Sequence, residues 1–310
     1  MLRRLMSVLL AVGSLSAQDQ TRAECPSPDQ VELEQSARDA MQKREFDVAA
    51  RRFQAAYSAC PAQRAILLEL ANAYFMGQHF RQAKDVALQV LRVDSGNAAA
   101  LEIKGNSEYL EGDSGAAIGT FIDLLERHPR NEDAAYMLGR VYYQEGALDQ
   151  AIGQFERVLR LNAYSYKAYD NLGLCYEAKA DNDKARRYFL TAIKLVEKNH
   201  PEYDTAYADL AELLLKTGET KKAFDAAAMA ANRNPASARN FYLGGKALEQ
   251  LGKTDLAVNW LQRSAALDPN YPQPLYLLAL IYHKLGKEQA STEARKKFLE
   301  AQARVPGKRR

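Results

Sequence analysis

A small residue followed twelve places later by alanine recurs along almost the whole chain, and this repetition constrains the fold more than any other feature. The pairs are Ala37/Ala49, Ala71/Ala83, Gly105/Ala117, Gly139/Ala151, Gly173/Ala185, Ala211/Ala223 and Gly245/Ala257. Successive starts are 34 residues apart, except for 38 between Gly173 and Ala211. Ala279 opens an eighth unit, whose second alanine, Ala294, arrives three places late. A steady period of this length means a stack of similar supersecondary units, each unable to bury its apolar face alone.

Each unit reads as two amphipathic helices. In the fourth, apolar residues recur every three to four places through Leu138 and Tyr142, Gly146 interrupts, and Ala151, Phe155 and Val158 resume the period. Gly112, Gly218, Gly252 and Gly286 occupy the same place in other units, where a left-handed helix cap suits glycine. Pro61, Pro129, Pro201, Pro235 and Pro269 end the second helices, because proline cannot continue them. The recurring small residues are expected at close helix crossings where neither helix carries a bulky side chain.

In the fifth unit Tyr169, Leu172-Gly173, Tyr176, Ala185, Phe189 and Ala192 stand in the order of a 34-residue tetratricopeptide motif, and the units resemble that family. The resemblance implies an all-α, right-handed superhelical solenoid of about eight stacked helix-turn-helix repeats. These run over 30–63, 64–97, 98–131, 132–165, 166–203, 204–237, 238–271 and 272–306. The first repeat departs from the pattern, with Ser36 for leucine and Ala40 for tyrosine, and the eighth reads as having a longer turn over Lys287 to Glu293. Four residues are added between Ala192 and Asp204. An elongated second helix that leaves the stacking unchanged is the expected result, against a local change of superhelical angle.

Residues 1–17 combine Arg3 and Arg4, a short apolar run from Leu5 to Val12 and a small-residue exit, the three parts of a secretory signal peptide. The run is less than half of the ~20 apolar residues a membrane span needs. Residues 18–29 then form a leader and 307–310 a basic tail. The protein is expected to be exported, either periplasmic or secreted. Export into an oxidising compartment makes a disulfide between Cys25 and Cys60 the favoured reading, since the two would flank an antiparallel helix pair at the same end. Two free thiols, with Cys25 in a leader beside Pro26 and Pro28, is the competing one.

Chemistry is scarce. There is no glycine-rich phosphate loop, paired-histidine metal motif or nucleophile elbow. His79, His128, His200 and His283 fall in different repeats, and Cys175 reads as a small buried apolar residue. Glu212 and Glu249 are a carboxylate pair able to meet across repeats, and Glu108 is either an internal paired charge or an edge residue. The 42 basic and 39 acidic residues balance to +3, too little for a nucleic-acid binder. No cofactor, metal or catalytic role is expected.

Binding is the better-supported role. The resemblance implies that certain places on each first helix point into a concave groove, and these supply Leu68, Asn72, Phe75, Met76, Asn106, Tyr109, Tyr136, Arg140 and Tyr143 as partner-binding residues. Beyond them the same places turn charged, with Lys167, Asp170, Glu177, Glu212, Arg239 and Glu249. A clamp for a terminal carboxylate, known in the family, is not expected: Asn72 and Asn106 match two of its places, but Leu68, Asp133 and Met137 stand where cations are needed. The expected function is a non-catalytic scaffold of the cell envelope for a protein or peptide ligand. The alternatives are an accessory subunit of an envelope polysaccharide-processing or secretion complex and, as a minority reading, an enzyme with a site between repeats.

Overall fold

The computed structural model describes residues 27–304; the expected signal segment, Cys25 and the basic tail lie outside them. The described residues form sixteen helices and no strand, and they divide into two compact units after Asp113. The first unit holds α1 (Pro28–Gln42), α2 (Phe46–Ala59), α3 (Ala65–Met76), α4 (Phe80–Leu91) and α5 (Ala98–Leu110). The second holds α6 (Ser114–Arg127), α7 (Glu132–Gln144), α8 (Leu148–Leu161), α9 (Tyr166–Ala178), α10 (Asn182–Asn199) and α11 (Thr205–Lys216). It continues with α12 (Thr220–Arg233), α13 (Ala238–Gln250), α14 (Thr254–Leu267), α15 (Pro272–Lys284) and α16 (Glu288–Arg304). Odd-numbered helices are the first helices of the sequence repeats, and even-numbered ones the second.

Within the units each first helix packs on the second helix of its own repeat, and first helices also pack on one another, α3 on α5 in the first unit and α7 on α9 and so on to α15 in the second. The packing shows what the small residues are for, and corrects the expectation that both helices are small where they cross. A Cβ on Gly139 would lie 2.8 Å from the Phe155 ring, and one on Gly173 only 2.4 Å from the Phe189 ring. The glycine makes room for a phenylalanine sixteen places later, and both rings are fully buried. Burying such a ring contributes about 2–3 kcal/mol. In the seventh repeat Gly245 receives Leu261 in the same way, while Gly244 lies against Trp260.

The turns inside the hairpins share one geometry. After α7 the Ala147 N–H bonds to the Tyr142 carbonyl at 2.9 Å across Gly146, which has φ +73°. Gly112, Gly218, Gly252 and Gly286 are left-handed likewise, but Arg44, Gln78 and Ala180 adopt the same conformation with a side chain. That conformation costs a non-glycine residue about 1–2 kcal/mol, partly offset by the stiffer unfolded chain. Ala180 is exposed, so nothing is lost in packing when it is trimmed. Ala180→Gly is therefore expected to stabilise the second unit by about 0.5–1 kcal/mol, read as a higher denaturant midpoint at unchanged slope.

Two irregularities resolve locally. The four inserted residues extend α10 to 18 residues against 14 for α8, and α9 still packs on α11 beside it. The eighth repeat has no longer turn, contrary to expectation: α16 starts at Glu288, directly after the usual left-handed Gly286. Ser291 takes the place of the missing alanine, its hydroxyl donating to the Ala279 carbonyl at 2.9 Å. Ala294 is buried less than one turn further on.

Candidate partner-binding surface

In the first unit Leu68, Asn72, Phe75 and Met76 lie on α3, and Asn106 and Tyr109 on the adjacent α5. Leu68 is half-buried against the unit's core, and the Phe75 ring rests on Phe80 at 5.7 Å. Asn72 and Met76 are exposed, Met76 at 44%. Spacings of four, three and one along α3 keep this set on one side of the helix.

In the second unit Tyr136, Arg140 and Tyr143 share a side of α7, each half-buried. Tyr136 is committed to structure: its ring meets Phe155 at 5.8 Å, and its hydroxyl accepts from Asn171 Nδ2 at 3.2 Å. Burial raises its phenol above the ordinary tyrosine value, and does the same to Tyr143. Arg140 holds Nη1 at 4.0 Å from the Met137 sulfur. Of the nine residues expected to bind a partner, six thus belong to the first unit and three to the second.

The charged continuation differs from its expected layout. Asp170, placed by its register on a solvated surface, is only 1% exposed. Its Oδ2 accepts from the Tyr203 hydroxyl at 2.5 Å. Asp209, unremarked in the sequence, is 3% exposed and pairs with Arg239 Nη2 at 2.7 Å. A signal for it existed: it is the one charged residue among the nine buried residues of α11. Glu212 and Glu249 do not form a pair of their own. Glu212 binds Arg239 at 2.7 Å, and Glu249 binds Lys284 at 3.0 Å. Glu177 and Lys216 add an ion pair at 2.5 Å from α9 to α11.

The remaining candidates settle into structural roles. Glu108 is buried and paired with Lys104 at 2.8 Å, one helical turn away. Cys175 is the free cysteine among the described residues; burial pushes its thiol up to about 12, which keeps it un-ionised and unreactive. Cys60 caps α2 with no exposed surface and has a partner of its own. No group of histidine, cysteine and acidic side chains able to hold a metal occurs among the described residues, and no helix there is long and apolar enough to cross a membrane.

Family models described as tetratricopeptide repeats match residues 35–78, 68–123 and 111–166, then 164–236, and a TPR-repeat model matches 245–286. Among solved structures the chain is similar to a tetratricopeptide repeat protein from Parabacteroides merdae, with TM-score 0.67, 20% identity, and 82% of this chain and 99% of that one covered. It is similar in fold to Pseudomonas aeruginosa pilF, with TM-score 0.58, 20% identity, and 73% and 97% covered. A MamA protein matches at TM-score 0.50 and 27% identity, over 55% of this chain and 92% of that one. No curated protein matches. With the repeat models accounting for 35–236 and 245–286, the chain belongs to the tetratricopeptide-repeat family.

Proposed function

We propose that the chain is a non-catalytic scaffold that binds a protein or peptide along its first helices, working in the periplasm or outside the cell after export. One observation carries the reading. First helices lie side by side within each unit, and they keep apolar, aromatic and amide side chains part-exposed: Asn72, Phe75 and Met76 in the first unit, Tyr143 in the second. Such mixtures of aromatic, methionine and amide groups are typical of interface cores, and exposed apolar groups clustered on a helix face tend to be used. A bridge from Cys60 to Cys25 is part of the same reading, since it depends on export.

The test is affinity capture from an envelope fraction, comparing the full chain with a Met76→Ala/Tyr143→Ala variant. Neither residue closes a hairpin, whereas Tyr136 does and would confuse loss of binding with loss of fold. Truncating an interface anchor commonly costs about 2 kcal/mol, so capture of the same partner is expected to weaken by more than tenfold at unchanged circular dichroism. Undiminished capture removes these faces from the binding surface. The mass of the exported chain tests the signal: an N-terminus near residue 18 is expected, and an intact residue 1 overturns it.

A further inference from the structure

In the second unit α9 and α11 lie side by side, and each buries one aspartate at their junction, Asp170 and Asp209. Each carboxyl has one oxygen accounted for. Asp170 Oδ2 accepts from the Tyr203 hydroxyl at 2.5 Å, and Asp209 Oδ1 accepts from Arg239 Nη2 at 2.7 Å. The other two oxygens, Asp170 Oδ1 and Asp209 Oδ2, are buried without a partner. An orphaned buried acceptor is costly, and native structures almost always satisfy it. The two aspartates stand on neighbouring helices with both orphaned oxygens enclosed there, and each acts on the other's ionisation. Two carboxylates, both acceptors, cannot satisfy each other, but a single proton between them makes one a donor and removes both orphans.

We infer that Asp170 and Asp209 hold one proton between them, resident on Asp170, and that this carboxyl–carboxylate hydrogen bond fastens α9 to α11. The placement follows from the partners. Arg239 supplies Asp209 with a full counter-charge, so Asp209 stays ionised; Tyr203 offers Asp170 only a neutral donor. The surroundings favour the extra proton. From α7, Tyr136 and Tyr143, which interact electrostatically with Asp170 and Asp209 respectively, are neutral phenols and bring no counter-charge. Glu177 on α9 and Glu212 on α11 add negative charge beside Asp209. Against these four carboxyls stand two cations, Arg239 from α13 and Lys216 from α11, each already shared with Glu212.

Burial raises Asp170 well above the ordinary value of 3.8, with the charge of Asp209 adding to it and the Tyr203 hydroxyl and Arg239 opposing. The folded chain therefore keeps a proton that the unfolded chain releases above pH 3.8. Proton binding is greater in the folded state, so the contribution of this site to stability falls as pH rises from there to the folded titration point, and is level beyond it. Once that proton leaves, two buried anions face each other and the α9–α11 junction loosens.

The test compares Asp170→Asn with the wild-type chain. Asparagine mimics the protonated acid at every pH, its amide donating to Asp209 and its carbonyl accepting from Tyr203. Across the window above pH 4 the wild-type folding constant is expected to lose about tenfold per pH unit relative to the variant, the signature of one proton. Parallel pH profiles overturn the proposal. A second measurement serves if the variant does not fold: carbon-13 NMR of the wild-type aspartate carboxyls, titrated upward from pH 4 until the exposed aspartates have ionised. One carboxyl carbon in the protonated range is expected; a spectrum in which every aspartate is ionised overturns the shared proton.

Discussion

Replacing Gly173 with leucine is expected to destabilise the second unit by about 3 kcal/mol, at the upper end of what overpacking costs. The reason is geometric. Even a bare Cβ at this position would sit 2.4 Å from the Phe189 ring, inside any tolerable contact, and Phe189 is fully buried with nowhere to turn. The ring must leave its rotamer or α9 must part from α10. Gly139→Leu meets the Phe155 ring at 2.8 Å and is expected to cost less, about 2 kcal/mol. Denaturant midpoints give the two values. Hydrogen exchange gives their reach, because in a repeat stack each unit answers mainly to its neighbours. For Gly173→Leu, protection should fall first in α9 and α10, then in α8 and α11. Equal loss throughout α6–α16 would mean that the second unit unfolds as one cooperative block.

The glycine–phenylalanine contacts also show what a single sequence discloses. The period of 34 marked Gly139 and Gly173 as sites of close approach, and that was right. It did not say what approaches, because periodicity reports a face of a helix and not the side chain opposite. The ring sixteen places on was visible as another recurring residue, but its place against the glycine is a tertiary fact. Asp170 failed for a related reason. Its register assigned it to the surface side of α9, yet α9 and α11 approach closely enough to enclose it, and one register cannot separate a groove from a helix junction. The eighth repeat was misread because an alanine three places late looked like extra turn, while Ser291 filled the proper place unnoticed. Glu108 was decidable from the chain alone: Lys104, four residues earlier, stands at the spacing at which helical charges pair.

With the proposed Cys25–Cys60 bridge in place, reduction is expected to lower the stability of the first unit by about 4 kcal/mol, the chain-entropy value for the 36 residues it closes. The bridge proposed here would join the start of the first hairpin to its end. Three features support it. Cys60 is fully buried where α2 stops, so it is held in one position. Gln30, in the first turn of α1, donates from Nε2 to Gln63 Oε1 at 2.6 Å, which brings the beginning of the hairpin to within three residues of Cys60. The first repeat is the least regular, with Ser36 and Ala40 where larger apolar residues usually pack, so it gains most from a covalent tie. Alkylation under denaturing, non-reducing conditions checks the pairing. Only Cys175 should take up the reagent, adding one label to the intact mass. Three labels would show that no bridge exists. Cys60→Ser provides the energetic half: it should cost about 4 kcal/mol against the oxidised chain and far less against the reduced one. A variant equally destabilised under both conditions would assign Cys60 a packing role at the end of α2, and the first hairpin would then be held by its side-chain contacts alone.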